Sequence, residues 1–499
     1  MSGVELVDRD LLSIQEVRLK IRAAKDAQAK LATLDQAGID AICAQMAKAG
    51  AGDALRLAKM ANEETGFGRV ADKVIKNQFG SAGVWEAIKD LKTVGVISED
   101  PARGLVEIGV PMGVVAGIIP STNPTSTVFF KSLIAIKSGN AIVFSPHPSA
   151  KQCTLEATRL MAAAAEAAGC PRGAISCIET TTIQATNELM KHPDIALILA
   201  TGGGAMVKAA YSSGNPAIGV GPGNGPAYIE RTADIALAVK RILDSKTFDN
   251  GTICASEQSV VTEDSIRDQV VAEFKRQGGY FLNPEEKAKV GAILMRSAGT
   301  MNPAIVGKTP QYIAKLAGIS VPDDARVLIG FETEVGDKFP YSKEKLCPVL
   351  GFYTQPDWET ACELCIRILL HEGAGHTMTI HSQNEAVIRE FALKKPVSRL
   401  LVNTPAALGG VGATTALLPS FTLGCGAVGG SSSSDNIGPL NLINIRRMAR
   451  GVRELEQLRA QADLPPDSAG EARQQQSGSG VAEDQLIAMV LQRVLERLK

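Results

Sequence analysis

The chain has 499 residues, more than one hydrophobic core usually organises, so two or three domains are expected. Its 45% hydrophobic and 21% charged residues are ordinary for a globular protein, and 52 Lys+Arg against 53 Asp+Glu leave a formal net charge of -1. That balance excludes a bulk polyanion as partner, so neither nucleic acid nor an anionic membrane is expected.

Residues 1–10 are charged and lack the apolar run of a secretion signal, so a soluble, cytoplasmic protein is expected. Residues 13–49 are rich in Ala, Lys, Gln and Leu. Val17, Ile21, Ala24, Ala27 and Leu31 recur there at helical spacing, which predicts a surface or groove-covering helix pair. Between Val94 and Val115, β-branched residues around turn signals at Asp100-Pro101 and Arg103-Gly104 predict a hairpin, a projecting or assembly strand pair. The apolar stretch 113–130 is broken by Pro120, Asn123 and Pro124 and cannot be a spanning helix.

An alternation follows: strand 113–119, helix 126–137, strand 141–145, helix 149–168, strand 175–178, helix 182–191, strand 195–200 and a helix opening near Gly204. The economical architecture is a doubly wound, mostly parallel sheet. A second α/β region, 227–421, adds helix 266–276, strand 326–329 and helix 359–370. Two such layers put ligands in the cleft between them. The nine scattered cysteines read as reduced thiols, and Cys362 and Cys365 as core of a helix, with no metal site expected. Residues 462–480, rich in Pro, Gly, Ser and Gln, read as a flexible linker. Residues 481–499 set Leu486, Ile487, Val490, Leu491, Val494, Leu495 and Leu498 on one stripe of an amphipathic helix suited to docking.

The chemistry centres on Cys254 in Phe248-Asp-Asn-Gly-Thr-Ile-Cys-Ala-Ser-Glu-Gln258, where small neighbours leave the sulfur room to act as a nucleophile. Attack on a carbonyl generates an oxyanion, for which the Asn123 side-chain amide and the Cys254 backbone N–H are the candidate donors. Thr201-Gly-Gly-Gly204 follows an apolar strand, a turn whose N–H groups suit a phosphate. Each motif alone also has a plainer reading: a buried small residue at 254, a turn residue at 123, a tight turn at 201–204.

Taken in order, Pro120-Ser-Thr-Asn-Pro-Thr-Ser126, Ser145-Pro-His-Pro148, Gly221-Pro-Gly-Asn224, Ile253-Cys-Ala-Ser-Glu-Gln258 and Glu344-Lys-Leu-Cys-Pro-Val349 resemble the aldehyde dehydrogenase superfamily. The likeness is nearer to its coenzyme A-acylating branch, the propionaldehyde and acetaldehyde dehydrogenases of bacterial microcompartments, and covers about nine-tenths of the chain, residues 13–450. The resemblance implies an α/β fold of two doubly wound parallel domains plus a small β oligomerisation arm. It implies a dinucleotide-binding domain at 1–93 and 114–226 and a catalytic domain at 227–433. Oligomerisation strands fall at 94–113 and 434–450, and a homodimer or homotetramer follows from them. It makes Cys254 the nucleophile and Asn123 the oxyanion donor. The cofactor NAD, with NADP as the alternative, is assigned to Thr201, Gly202, Gly203, Ser145, Pro146 and Glu344.

Two departures from the hydrolytic relatives matter. Ser145 stands where they carry a ribose-binding lysine, and Pro148 where many carry an acidic residue, which leaves room for NADP or coenzyme A in that groove. Gly219 stands where they carry the glutamate that activates water, so a thiol is expected to collect the acyl group. The implied reaction turns a short-chain aldehyde, NAD and the co-substrate coenzyme A into acyl-coenzyme A and NADH. The alternatives are a hydrolytic enzyme and a non-catalytic scaffold. His371 and His376, in His371-Glu-Gly-Ala-Gly-His376, read as loop or packing residues, with proton assistance near the cleft as the alternative, and neither is assigned as catalytic. Residues 481–499 look like a peptide that docks cargo on shell proteins, which places the enzyme in a microcompartment lumen.

Overall fold

Val17, Ile21, Ala24, Ala27 and Leu31 are buried along one face of the helix Arg9–Leu31, capped by the Asp8 carboxylate, which accepts from the Asp10 and Leu11 N–H groups. A second helix, Gln36–Gly52, buries Ile39, Ile42, Cys43 and Met46 in the same core. The computed structural model describes residues 8–296 and 299–461. The linker and amphipathic helix expected at 462–499 lie outside the described residues.

Two parallel sheets organise the chain. The first runs Ile175–Cys177, Ala141–Ser145, Val114–Ile118, Ile195–Thr201, Ala217–Val220, every neighbouring pair parallel. Strand order steps outward in both directions from Val114–Ile118, the doubly wound arrangement expected. Because helices pack on this sheet, its strands are nearly continuous apolar runs rather than alternating ones. Past the central strand the chain turns through Asn123 into the helix Pro124–Lys137, every residue of which is buried. Lys131 in its middle donates to the Ile118 and Leu199 carbonyls at 2.8 Å each, and burial lowers its pKa to about 7.

The second sheet has seven parallel strands in the order Gly279–Phe281, Val327–Phe331, Val349–Gln355, Glu257–Glu263, Gly225–Ile229, Gly375–His381, Val397–Val402. Since neighbours are parallel, the starts of Glu257–Glu263, Gly225–Ile229 and Gly375–His381 share one edge. Cys254 precedes the first of these strands, Gly223 precedes the second, and His376 opens the third.

Both sheets lie in one compact unit, the chain up to Ile97 together with Ile108–Arg446. Ser98–Glu107 and the described residues 447–461 cluster separately. In that second unit Arg447 Nε donates to Glu107 Oε1 at 2.9 Å, and the Arg450 N–H donates to the Gly104 carbonyl at 2.9 Å. The strands Gly95–Asp100 and Leu105–Pro111 are the expected hairpin, and Ile443–Ala449 adds beside the second of them. All nine cysteines are unpaired, with Cys362 and Cys365 buried in the helix Trp358–His371. Among the described residues no helix is long and apolar enough to cross a membrane.

Candidate active site

The helix Ile235–Thr247 ends at Phe248, and the next three residues turn left-handed, with φ of 49° at Asp249, 51° at Asn250 and 78° at Gly251. For a non-glycine residue this costs roughly 1–2 kcal/mol, so something must hold the turn. The Asp249 carboxylate does. Its Oδ1 accepts from the Arg69 N–H at 2.7 Å, and its Oδ2 accepts from Lys76 Nζ at 2.5 Å, Thr252 Oγ1 at 2.8 Å and Lys73 Nζ at 3.0 Å. The turn delivers Cys254 half-buried, whereas the other eight cysteines are buried.

The shared sheet edge brings His376 to it. Nε2 of His376 lies 3.2 Å from Cys254 Sγ, across 122 residues of sequence. The ring is held from behind: Nδ1 is 3.0 Å from Thr377 Oγ1, which accepts from Arg399 Nε at 3.2 Å. Arg399 is itself fixed by donating to the His376 and Gly424 carbonyls at 3.1 and 2.6 Å. The structure puts His376, one of the two histidines weighed for the cleft, at the Cys254 sulfur as its polar neighbour. His371 does lie apart, at the end of the helix Trp358–His371 and 3.7 Å from Asp337.

Electrostatics keep this pair neutral at rest. Burial, then the Glu344 carboxyl, pushes the Cys254 thiol up to about 12, while burial and then Arg399 lower His376 to about 3. A thiol facing an uncharged imidazole is therefore the resting state, not a thiolate–imidazolium pair. Such a thiol reacts only as its proton is taken.

A cavity of about 380 Å³ opens over the sulfur, and Asn123, Thr201, Gly202, Gly203, Cys254 and Glu344 all line it. The strand ends of the first sheet supply the first four, as expected for ligands at the carboxyl ends of a parallel sheet. Asn123 Nδ2 donates to the Thr252 carbonyl at 3.1 Å and to Thr122 Oγ1 at 3.2 Å, and its Oδ1 accepts from Lys76 Nζ at 2.6 Å. The Cys254 N–H has no acceptor among the described residues. Glu344 is buried, its Oε1 accepts from the Gly223 N–H at 2.9 Å, and burial followed by Glu372 raises its pKa to about 8. Gly223 must be glycine here, because a Cβ would stand 1.9 Å from the Cys254 carbonyl oxygen.

Ser145 and Pro146 are not in the cavity wall. The Ser145 hydroxyl is buried 2.9 Å from Thr186 Oγ1, and the wall there is made by His147 and Ser149. Gly219 is sealed as well as bare: a Cβ would lie 2.7 Å from Val207 Cγ1 and 2.9 Å from the Tyr211 ring.

The model of the aldehyde dehydrogenase family matches residues 5–338. The chain belongs to the aldehyde dehydrogenase family. The chain is 47% identical over 443 residues to the bifunctional aldehyde-alcohol dehydrogenase of Escherichia coli (strain K12), covering 88% of the chain and 50% of that protein. It thus spans about half the length of that curated relative. It is 40% identical over 437 residues to the succinate-semialdehyde dehydrogenase (acetylating) of Clostridium kluyveri, covering 88% of the chain and 95% of that enzyme. Among solved structures, a probable aldehyde dehydrogenase from Listeria monocytogenes aligns with TM-score 0.90 and 65% identity over 91% of this chain and 100% of that one. An acetylating aldehyde dehydrogenase from Geobacillus thermoglucosidasius aligns with TM-score 0.89 and 56% identity over 90% and 99%. A propionaldehyde dehydrogenase from the fucose utilisation microcompartment of Clostridium phytofermentans aligns with TM-score 0.80 and 29% identity over 88% and 98%. These neighbours give the two-sheet architecture its name, the aldehyde dehydrogenase fold.

Proposed function

We propose that the chain oxidises a short-chain aldehyde, propionaldehyde or acetaldehyde, with NAD and passes the acyl group from Cys254 to coenzyme A. The observation that carries this reading is the 3.2 Å contact of His376 with Cys254, and it is joined by a Gly219 that has neither a carboxylate nor space for one. As Sγ attacks the aldehyde carbon, its proton passes to His376 Nε2 and the carbonyl electron pair moves to oxygen. That oxygen takes hydrogen bonds from the Cys254 N–H and from the Asn123 amide, in exchange for its Thr122 contact. NAD, when bound, supplies the hydride acceptor that leaves a thioester on Cys254.

The proton on His376 is lost to solvent before the second half. The coenzyme A thiol then gives its proton to the same nitrogen as its sulfur attacks the thioester, and Cys254 leaves and is reprotonated. A weak imidazole base suits a thiol, whose pKa is about 8.5, far better than water at about 15.7. Acyl transfer to the thiol is favoured on that ground as well as by the missing glutamate.

The cavity suits a dinucleotide. Around Gly203 and Gly204 no heavy atom stands within 4 Å of where a Cβ would be, so a pyrophosphate can approach the N-terminus of the helix Gly204–Tyr211. Thr201, Gly202 and Gly203 would hold it, with Glu344 on the nicotinamide ribose. The adenosine end would meet His147 and Ser149 rather than Ser145 and Pro146. NADP remains the alternative acceptor for that end.

The remaining context is proposed on narrower grounds. The exposed edge strand Ile443–Ala449, with Ile445 41% and Met448 44% exposed, supports a homodimer or homotetramer built through residues 94–113 and 434–450. The apolar stripe at 481–499 and the microcompartment neighbour support cargo docking on shell proteins. Two experiments test the reading. NADH formation from propionaldehyde should require coenzyme A and vanish in Cys254→Ala; turnover without coenzyme A would indicate hydrolysis, and none with any aldehyde a scaffold. A reporter fused to residues 481–499 should co-localise with shells; a diffuse reporter in shell-forming cells contradicts the docking role.

A further inference from the structure

Lys76 is buried on the helix Val70–Gln78, far in sequence from every motif of the site, yet its ammonium sits between two of them. Its Nζ donates to Asp249 Oδ2 at 2.5 Å, to Asn123 Oδ1 at 2.6 Å and to Thr252 Oγ1 at 3.0 Å. Those three bonds use all three hydrogens of an ammonium. An ammonium has no acceptor, so the Asn123 atom facing it must be the carbonyl oxygen, and the N–H end must face the other way. That end reaches the Thr252 carbonyl at 3.1 Å, two residues before Cys254. Thr252 is thus clasped at both its hydroxyl and its carbonyl. The ammonium at the oxygen end and the Thr252 carbonyl at the N–H end therefore select the same orientation of the amide, and Lys76 is the partner that holds Asn123 Oδ1.

We propose that Lys76 is a positioning residue of the oxyanion site: it turns the Asn123 amide so that its N–H end serves the nucleophile, and its charge polarises the amide into a stronger donor. The role of Asp249 is to keep that charge in a buried place, and Lys73, which also donates to Asp249 at 3.0 Å, shares the carboxylate without touching the Asn123 side chain. Burial is the dominant influence on Lys76, and it is opposed by the Asp249 carboxylate. The proposal rests on the reading of Asn123 as oxyanion donor.

A double-mutant cycle on full-length enzyme separates the two ideas. The readout is the single-turnover burst of NADH from propionaldehyde before coenzyme A is added. Asn123→Ala should slow it by about 10²–10³-fold. Lys76→Met should slow it by about 10–100-fold in the native background and by less than about twofold in Asn123→Ala, because it acts through that amide. Melting temperatures of all four proteins are measured alongside. The loss of the Lys76–Asp249 pair should lower them equally in both backgrounds, which a rate effect of purely structural origin would mirror. Equal rate losses in both backgrounds overturn the proposal, as does an unchanged burst in Lys76→Met while Asn123→Ala is slow. An unaffected Asn123→Ala overturns both the proposal and the reading beneath it. If Lys76→Met does not fold, Lys76→Gln takes its place in the same cycle.

Discussion

Replacing His376 by alanine leaves the Cys254 thiol without a proton acceptor at hydrogen-bond distance. Burial, then the Glu344 carboxyl, keeps the proton on this thiol, so little thiolate forms spontaneously at pH 7. The imidazole at about 3 is uncharged across the working range, so in the native enzyme the base is always in its active form. General-base help of this kind contributes roughly 10²–10⁴-fold, and that is the expected loss in the NADH burst at pH 7. The pH dependence separates this from a packing defect. Between pH 6 and 9 the native burst should be nearly flat, whereas that of His376→Ala should rise about tenfold per pH unit, following hydroxide. Stopped-flow absorbance on protein of verified fold reads both. A native-like burst in His376→Ala, or a flat pH profile with a reduced rate, would refute the assignment of His376 as the proton acceptor.

With its imidazole removed, the neutral thiol of His376→Ala should be labelled by iodoacetamide faster with each pH step from 6 to 9; a plateau below pH 7 would reveal a stable thiolate and contradict it. Gly219→Glu should not produce free carboxylic acid, because its Cβ meets Val207 and Tyr211. It should instead lower stability by about 1–3 kcal/mol in denaturant titration, and acid formation by a stable variant would show that the space can open. Glu257 is buried with Oε2 unpartnered, and burial raises its pKa from 4.5 to about 7. Above pH 4.5 the unfolded chain loses this proton while the folded one keeps it, so stability falls as pH rises to about 7, by about 3 kcal/mol in all. Glu257→Gln removes that slope, so its melting temperature should gain on the native protein between pH 5 and 7.5, and a difference independent of pH contradicts the account.

Much of the fold was legible because local pattern and tertiary demand agree. The strand 141–145 falls where β-branched apolar residues run between helical stretches, and Val17, Ile21, Ala24, Ala27 and Leu31 are buried as their spacing requires. Helix ends moved by a few residues where caps decide: Pro124 opens its helix two residues before the expected start, with proline in the first turn. Cys254, Asn123, the Thr201–Gly203 turn and Glu344 were legible as motifs, and one cavity wall contains them all. What sequence did not reveal depends on which strand starts share an edge. His376 meets Cys254 only because two parallel strands flank Gly225–Ile229, a pairing no local spacing encodes. A histidine opening the apolar strand Gly375–His381 was the available hint. Lys73 and Lys76 belong to no motif of the sequence; they are buried where both pair with Asp249. Ser145 and Pro146 missed the wall because the chain turns inward there, leaving His147 and Ser149 to face the cavity.

The central claim is that an acyl group waits on Cys254 for a thiol. Intact-protein mass spectrometry of enzyme mixed with propionaldehyde and NAD, followed by coenzyme A, tests it directly. One propionyl group should appear on Cys254, persist over many turnover times in buffer, and disappear on addition of coenzyme A as propionyl-coenzyme A forms in equal amount. Loss of the adduct to water at a comparable rate, or an adduct on a residue other than Cys254, would contradict the account.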